Sequence, residues 1–170
     1  NIYGWIRPRF GCFFSATTNN TVYFKGVTGG GPWNDEPTAV YGHMVVDKNP
    51  GERTYASASS LQPITLLGNF TVNPNNEFEL QNNTMHVNGF LTDNTSSEIY
   101  AWDTSKNSSS KSASVPDEAK GIDNSIDTDN NTGIEDTGSK GGYLEIDNNF
   151  TLNGLMDVGD GNVLIHGMFN

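Results

Sequence analysis

Short apolar segments of three to six residues, separated by turns of two to four residues, dominate the chain. The segments are rich in β-branched and aromatic side chains, and the residues between them are mainly Asn, Pro and Gly, so strands and tight turns are predicted. The predicted strands are residues 21–27, 39–47, 64–67, 70–72, 77–80, 84–87, 89–91, 143–146, 150–152 and 162–165, with turns at 49–52, 73–76 and 82–83. This spacing is shorter than the roughly 8–12 residues of a sandwich and favours a β-solenoid.

Composition supports an all-β chain with many turns. Asn, Gly, Thr and Ser together make up 71 of the 170 residues. Asn side chains compete for backbone hydrogen bonds and Gly tolerates positive φ, so both disfavour helix interiors and favour turns. The predicted fold class is therefore all-β, a β-solenoid or parallel β-helix with coils of about 20 residues.

An internal repeat supports the same architecture. Residues 69–73 (NFTVN) recur at 149–153 (NFTLN), and residues 87–90 (VNGF) correspond to 165–168 (IHGM). A unit of about 20 residues is one coil, which cannot bury its apolar side alone and must stack on a neighbour. The inward-pointing positions are predicted to be Phe70 with Phe150, Val72 with Leu152, and Val87 with Ile165, with the recurring Asn and Gly at the corners.

A polar stretch divides the chain into three regions. Residues 103–142 are rich in Ser and acidic residues and contain few large aliphatic side chains, so they cannot build a core of their own. We predict a β-rich repeat region at 1–102, an inserted loop at 103–142, and a second β-repeat region at 143–170 that continues the same stack.

Acidic residues in the insertion are the candidate metal ligands. Ca²⁺ takes six to eight oxygen ligands, and alternating Asp and Asn on a turning loop supply them. The predicted calcium ligands are Asp127, Asp129, Asn131, Glu135 and Asp136. The spacing departs from that of an EF-hand, and a solvated acidic loop is the alternative. The histidines have no Cys or carboxylate at the sequence spacing of a zinc site, so no histidine metal site is predicted.

Charge and hydropathy exclude several classes of partner. The formal net charge of −11 repels phosphate backbones and argues against nucleic-acid binding. No apolar run approaches the roughly 18 residues of a membrane span. A single cysteine, Cys12, precludes an intramolecular disulfide.

The two ends of the sequence point to a larger assembly. The sequence starts at Asn1 without a leader, as expected for a processed product or an internal fragment. Residues 162–170 are strongly apolar with no polar cap, so neighbouring repeats or identical subunits are expected to stack at the open ends.

Residues 67–90 also resemble a known family. Their succession of G-N-F-T-V-N, a short Leu-containing strand and T-M-H-V-N-G is similar to a repeat of large secreted, gliding-adhesin-like β-solenoid proteins on the cell surface of Bacteroidetes. Residues 21–26 and 41–48 resemble upstream strands of those proteins, and the resemblance covers roughly 15–92 and 143–170. Lys25 stands where these repeats usually have Asn, and the insertion has no counterpart in them.

The resemblance implies a non-enzymatic structural or adhesive module of a larger extracellular or cell-surface protein, with surface glycans as candidate ligands. One alternative is a carbohydrate-active β-helix enzyme or phage-fibre depolymerase, for which Glu77 and Glu79 on one strand face are the candidate carboxylates. Another is a self-assembling filament subunit whose open ends stack head to tail, with calcium ordering residues 123–136.

Overall fold

The computed structural model describes residues 1–6, 14–27, 29–32, 39–56, 63–101 and 141–170. Within these ranges the chain forms strands and turns and no helix, so no helix there meets the length and hydropathy of a membrane crossing. The strands are β1 (Phe14–Ser15), β2 (Thr21–Gly26), β3 (Ala39–Tyr41), β4 (His43–Lys48), β5 (Arg53–Tyr55), β6 (Ile64–Leu66), β7 (Phe70–Val72), β8 (Glu77–Glu79), β9 (Thr84–Val87), β10 (Leu91–Asp93), β11 (Glu98–Tyr100), β12 (Tyr143–Ile146), β13 (Phe150–Leu152), β14 (Leu155–Asp157) and β15 (Asn162–Ile165).

These strands form three parallel sheets that the chain visits in turn, which confirms the predicted β-solenoid. The six-stranded sheet has the order β1-β3-β6-β9-β12-β15, the five-stranded sheet β13-β10-β7-β4-β2, and the four-stranded sheet β14-β11-β8-β5. The coils take about 22 residues each and make about four turns, slightly longer than the predicted coil. The predicted insertion lies almost entirely outside the described residues, and β12 pairs with β9 directly beyond it.

The register places the two repeated segments at equivalent positions of the five-stranded sheet. One further coil lies between them, and the sequence repeat did not reveal it. Phe70 pairs with Leu91, and Leu91 pairs with Phe150. All three side chains are fully buried and form one apolar column in the core. The intervening coil reads F-L-T-D-N at residues 90–94 in place of N-F-T-V-N, and this divergence hides it from a comparison of the two matching segments.

The other predicted inward positions are also confirmed. Val72 and Val87 are fully buried, and Leu152 and Ile165 are partly buried and pack against the core. The Phe70 ring meets Phe78 edge to face, with centroids 4.8 Å apart and planes at 72°, which joins the five-stranded and four-stranded sheets inside the coil.

Turns stack on one another at the corner between the five-stranded and four-stranded sheets. In residues 49–52, 73–76 and 94–97, the fourth N–H donates to the first carbonyl over 3.0, 3.2 and 3.1 Å. The third residue has positive φ in each turn, at Gly51 (82°), Asn75 (60°) and Ser96 (60°). Gly and Asn adopt this conformation readily, which accounts for the first two turns and confirms their prediction.

The repeated Asn and Gly lie at the corner that leads into the five-stranded sheet. Asn69 Oδ1 accepts from the Phe90 N–H (3.1 Å), and Asn149 Oδ1 accepts from the Met168 N–H (2.9 Å). Each amide thus holds the backbone of the next coil. A Cβ at Gly89 would lie 2.6 Å from backbone atoms of the preceding coil, so only Gly fits this approach.

Candidate functional site

The sequence-predicted calcium ligands lie outside the described residues. Asp127, Asp129, Asn131, Glu135 and Asp136 all belong to the segment 102–140, and the calcium site stays a prediction. The chemistry of the described residues is carried instead by the outer faces of the three sheets and by one acid in the core.

An arginine organises the outer face of the four-stranded sheet. Arg53 Nε donates to Glu77 Oε2 over 2.6 Å, and its Nη1 donates to Glu79 Oε2 over 2.8 Å. Glu77 and Glu79 therefore do lie on one strand face, but a single guanidinium binds both. Glu79 is only 1% exposed. Burial alone would lower the pKa of Arg53, yet the hydrogen bonds and charges of the two glutamates raise it, so the arginine stays charged.

The arginine cluster continues onto the next coil. The Arg53 guanidinium lies over the Tyr100 ring, 4.8 Å from its centroid, and the Tyr100 hydroxyl donates to Glu98. Burial, and then the hydrogen bond to Glu98, raise the pKa of Tyr100, so its hydroxyl stays protonated. These residues link β5, β8 and β11, three successive coils, from the outside.

The outer face of the five-stranded sheet carries one ion pair and two neutral polar rows. Lys25 Nζ lies 2.5 Å from Asp47 Oδ2. The hydrogen bond to Asp47 raises the pKa of Lys25, and hydrogen bonds from Lys25 and Asn73 lower the pKa of Asp47. The two polar rows begin on the next coil. One row consists of the register partners Thr71, Thr92 and Thr151. The other consists of the Asn residue two positions after each threonine: Asn73, Asn94 and Asn153.

These two rows form a regular array on the outer face. In the Asn row, Asn73 Nδ2 donates to Asp47 Oδ1 and Asn94 Nδ2 donates to the Val72 carbonyl, each over 3.0 Å. Neighbouring strands are about 4.8 Å apart and residues two apart along a strand are about 6.6 Å apart, so hydroxyl and amide groups repeat in two directions. Among the described residues, none of the three Thr hydroxyls has a hydrogen-bond partner. They are therefore available to solvent or to an extended ligand.

An aspartate interrupts the core column of the five-stranded sheet. Asp93 pairs in register with Val72 and Leu152, and its side chain is 0% exposed. Ser97 Oγ donates to Asp93 Oδ1, while Oδ2 lies near the Gly154 backbone but outside hydrogen-bond geometry. Burial raises the pKa of Asp93 to about 6, with Ser97 opposing the shift.

The outer face of the six-stranded sheet brings two histidines to two carboxylates. His86 on β9 pairs in register with Glu145 on β12, and Asp147 directly follows β12. His86 Nε2 lies 3.0 Å from Asp147 Oδ1, and His166 Nε2 lies 2.8 Å from Glu145 Oε1. One ligand atom from each of His86, Glu145 and Asp147 lies within 4.8 Å of the others.

We call His86, Glu145, Asp147 and His166 the His–carboxylate cluster. The search for zinc-site spacing in the sequence missed it. Its members come from three coils, and the fold, not a local motif, brings them together. One signal could have found it: aligning Val87, Ile146 and Ile165 as one inward column places His86 beside Glu145, and Asp147 beside His166.

Comparison of the chain with protein-family models, with curated proteins and with solved structures finds no match. The resemblance to Bacteroidetes surface repeats therefore stays a prediction from the sequence.

Proposed function

We propose that this chain is a non-enzymatic structural and adhesive module of an extracellular surface or filament protein. The observation that carries the proposal is the continuity of the stack. In each of the three sheets, a strand that precedes residues 102–140 pairs directly with a strand that follows them. The extracellular setting is supported by the resemblance of residues 67–90 to secreted surface repeats.

The outer side chains favour a load-bearing role. The Arg53 cluster links three coils, and Lys25 to Asp47 and His86 to Asp147 each link two neighbouring coils. Extension along the stack axis would have to break ladder bonds in all three sheets and these contacts together. This arrangement resists separation of the coils.

The arginine cluster weakens the alternative of a glycosidase or lyase. A glycosidase needs one carboxylic acid and one carboxylate free to flank the scissile bond. Here Arg53 engages both Glu77 and Glu79, and Glu79 is buried beneath it. The two carboxylates are thus better suited to holding coils together than to proton transfer to a sugar.

The Thr and Asn rows are the proposed adhesive surface. They are neutral and regularly spaced, and they carry hydroxyls without partners in the described chain. Hydroxyl and amide groups hydrogen-bond to sugar hydroxyls, and the net charge of −11 repels acidic polymers. The ligand class that fits is a neutral, extended surface polysaccharide.

Retention on immobilised neutral polysaccharides, together with an assay for released reducing ends, tests this proposal. We expect the chain to be retained on at least one of cellulose, dextran and β-glucan without releasing reducing ends. The double variant Thr92→Ala with Thr151→Ala should bind about 30-fold more weakly, because it removes two hydrogen bonds of about 1 kcal/mol each. Thr65→Ala, on the six-stranded sheet, is the matched control and should bind like the wild type.

Two outcomes would contradict the proposal. Release of reducing ends that disappears in Glu77→Gln would establish the enzyme alternative. Absence of retention on every polymer, or equal weakening by Thr65→Ala, would remove the adhesive role of the Thr and Asn rows.

A further inference from the structure

We propose that the His–carboxylate cluster on the six-stranded sheet binds a divalent transition-metal ion, with His86, Glu145 and Asp147 as its protein ligands. Nothing in this inference depends on the structural and adhesive role proposed above. It rests on the side-chain geometry of two adjacent coils.

The spacing of the donor atoms suits one small ion. Bonds to Zn²⁺ from imidazole nitrogen and carboxylate oxygen are about 2.0–2.2 Å, so two ligands of a tetrahedral ion lie about 3.3 Å apart. His86 Nε2 and Asp147 Oδ1 are 3.0 Å apart, and the donor atoms of all three residues lie within 4.8 Å of one another. Small rotations of outward-facing side chains would bring them onto one ion, leaving a fourth position for water.

Each ligand stands on a rigid element. His86 lies within β9 and Glu145 within β12, and these strands are hydrogen-bonded in register along four residue pairs. Asp147 follows β12 directly, and its N–H donates to the Val87 carbonyl over 2.9 Å. The sheet therefore fixes the three Cα positions before any ion binds, which reduces the ordering that binding requires.

His166 is a positioning residue for this site. Its Nε2 lies 2.8 Å from Glu145 Oε1 and so orients the carboxylate from the next coil. Outer hydrogen-bond partners of this kind fix ligand orientation, and their loss typically weakens metal affinity by about 10–100-fold. We therefore expect His166 to tune affinity without being required for binding.

The donor set selects the class of metal. One imidazole nitrogen with two carboxylates suits Zn²⁺, Co²⁺, Ni²⁺ or Mn²⁺, whereas Ca²⁺ and Mg²⁺ take oxygen ligands almost entirely. Two carboxylates on a chain of net charge −11 also attract cations. Calcium, if it binds this chain, is expected to use the acidic residues of the insertion instead.

An ion here would connect coils that are far apart in sequence. His86 and Glu145 belong to neighbouring coils, and residues 102–140 lie between them along the chain. An ion that binds the folded state and not the unfolded state stabilises the fold by mass action. At about 100 times the dissociation constant, the melting temperature should rise by about 5–10 °C.

Titration of the full, tag-free chain with CoCl₂ at pH 7.5 tests the site, because Co²⁺ bound to nitrogen and oxygen ligands absorbs visible light. We expect saturation at one ion per chain in this absorption, at least a 100-fold loss of affinity in His86→Ala, and about a tenfold loss in His166→Gln. Asp160→Asn, an exposed acid outside the cluster, is the control and should leave the affinity unchanged. Zn²⁺ should displace Co²⁺, and a large excess of Ca²⁺ should not.

The proposal is overturned if wild type and His86→Ala bind Co²⁺ equally. It is also overturned if Asp127→Asn with Asp129→Asn abolishes the absorption, because the ion would then be held by the insertion. Circular dichroism of each variant separates loss of the site from loss of the fold: all four residues of the cluster are at least partly exposed, so the spectra should match the wild type.

Discussion

Phe70→Ala is expected to lower the free energy of unfolding by about 3–5 kcal/mol, the usual effect of removing a buried phenylalanine. The side chain is fully buried in register between Met44 and Leu91, and its ring meets Phe78 edge to face at 4.8 Å. Its removal leaves a cavity at the junction of two sheets. Urea unfolding, followed by circular dichroism, measures the loss as a lower midpoint at an unchanged slope.

Phe90→Ala is the matched control for this prediction. Phe90 is the same residue type, at the corner that begins the next coil, but it is 48% exposed. We expect it to change the stability by less than about 1 kcal/mol. Equal losses at Phe70 and Phe90 would contradict the assignment of inward and outward positions.

Asp93→Asn is expected to stabilise the protein at neutral pH and to flatten its pH dependence. The pKa of Asp93 is raised from 3.8 to about 6 in the folded chain, so folding favours the protonated acid. Stability from this group is therefore fully present below pH 3.8, falls as the pH rises from 3.8 to about 6, and stays low above that. A shift of about two pKa units corresponds to at most about 3 kcal/mol.

An asparagine at position 93 avoids that loss. Its side-chain oxygen can still accept from Ser97, and its neutral amide has no ionised form, so the burial that raises the pKa of Asp93 no longer costs stability at neutral pH. We expect Asp93→Asn to equal the wild type near pH 4 and to exceed it by up to about 3 kcal/mol at pH 7.5. Urea unfolding at both pH values measures the difference, with Asp160→Asn as the exposed control. A variant no more stable than wild type at pH 7.5 would show that Asp93 is stabilised as a carboxylate.

The sequence predicts most strands of the five-stranded and six-stranded sheets because their residues alternate visibly. It is wrong at 39–47, predicted as one strand, where Gly42 separates β3 of the six-stranded sheet from β4 of the five-stranded sheet. It also places the strand predicted at 89–91 two residues too early, since β10 is Leu91–Asp93. Segments such as 70–72 and 84–87 place apolar residues inward at every second position, and Asn or Gly marks their ends. The four-stranded sheet is mostly missed. Its strands β5, β11 and β14 have three residues each, and only the middle side chain of each strand points inward: Thr54, Ile99 and Met156. One inward residue per strand cannot show the alternation by which a strand is recognised in a sequence.

The candidate sites were harder to predict for a related reason. Arg53 meets Glu77, and His86 meets Glu145, only because coils of unequal length bring these residues into register. The contacts follow from the number of residues in each coil and from the position of residues 102–140 between β11 and β12 along the chain. The Asn69 and Asn149 corners were predictable, since the residue types recur at the same place in each repeat.

A pair of engineered cysteines tests the stacking of distant segments most directly. In a Cys12→Ser background, Thr92→Cys with Thr151→Cys places two thiols on register partners of β10 and β13. Adjacent strands are about 4.8 Å apart, within the roughly 4.4–6.8 Å between Cα atoms that a disulfide spans. Thr71→Cys with Thr151→Cys is two coils apart, about 9.6 Å, and is the control.

Mild oxidation is expected to join residues 92 and 151 within one chain, as seen by peptide mass spectrometry, and to leave the 71 and 151 pair reduced. Failure of the first pair to form a disulfide, or equal formation in both pairs, would contradict the stacked-coil architecture on which every proposal here rests.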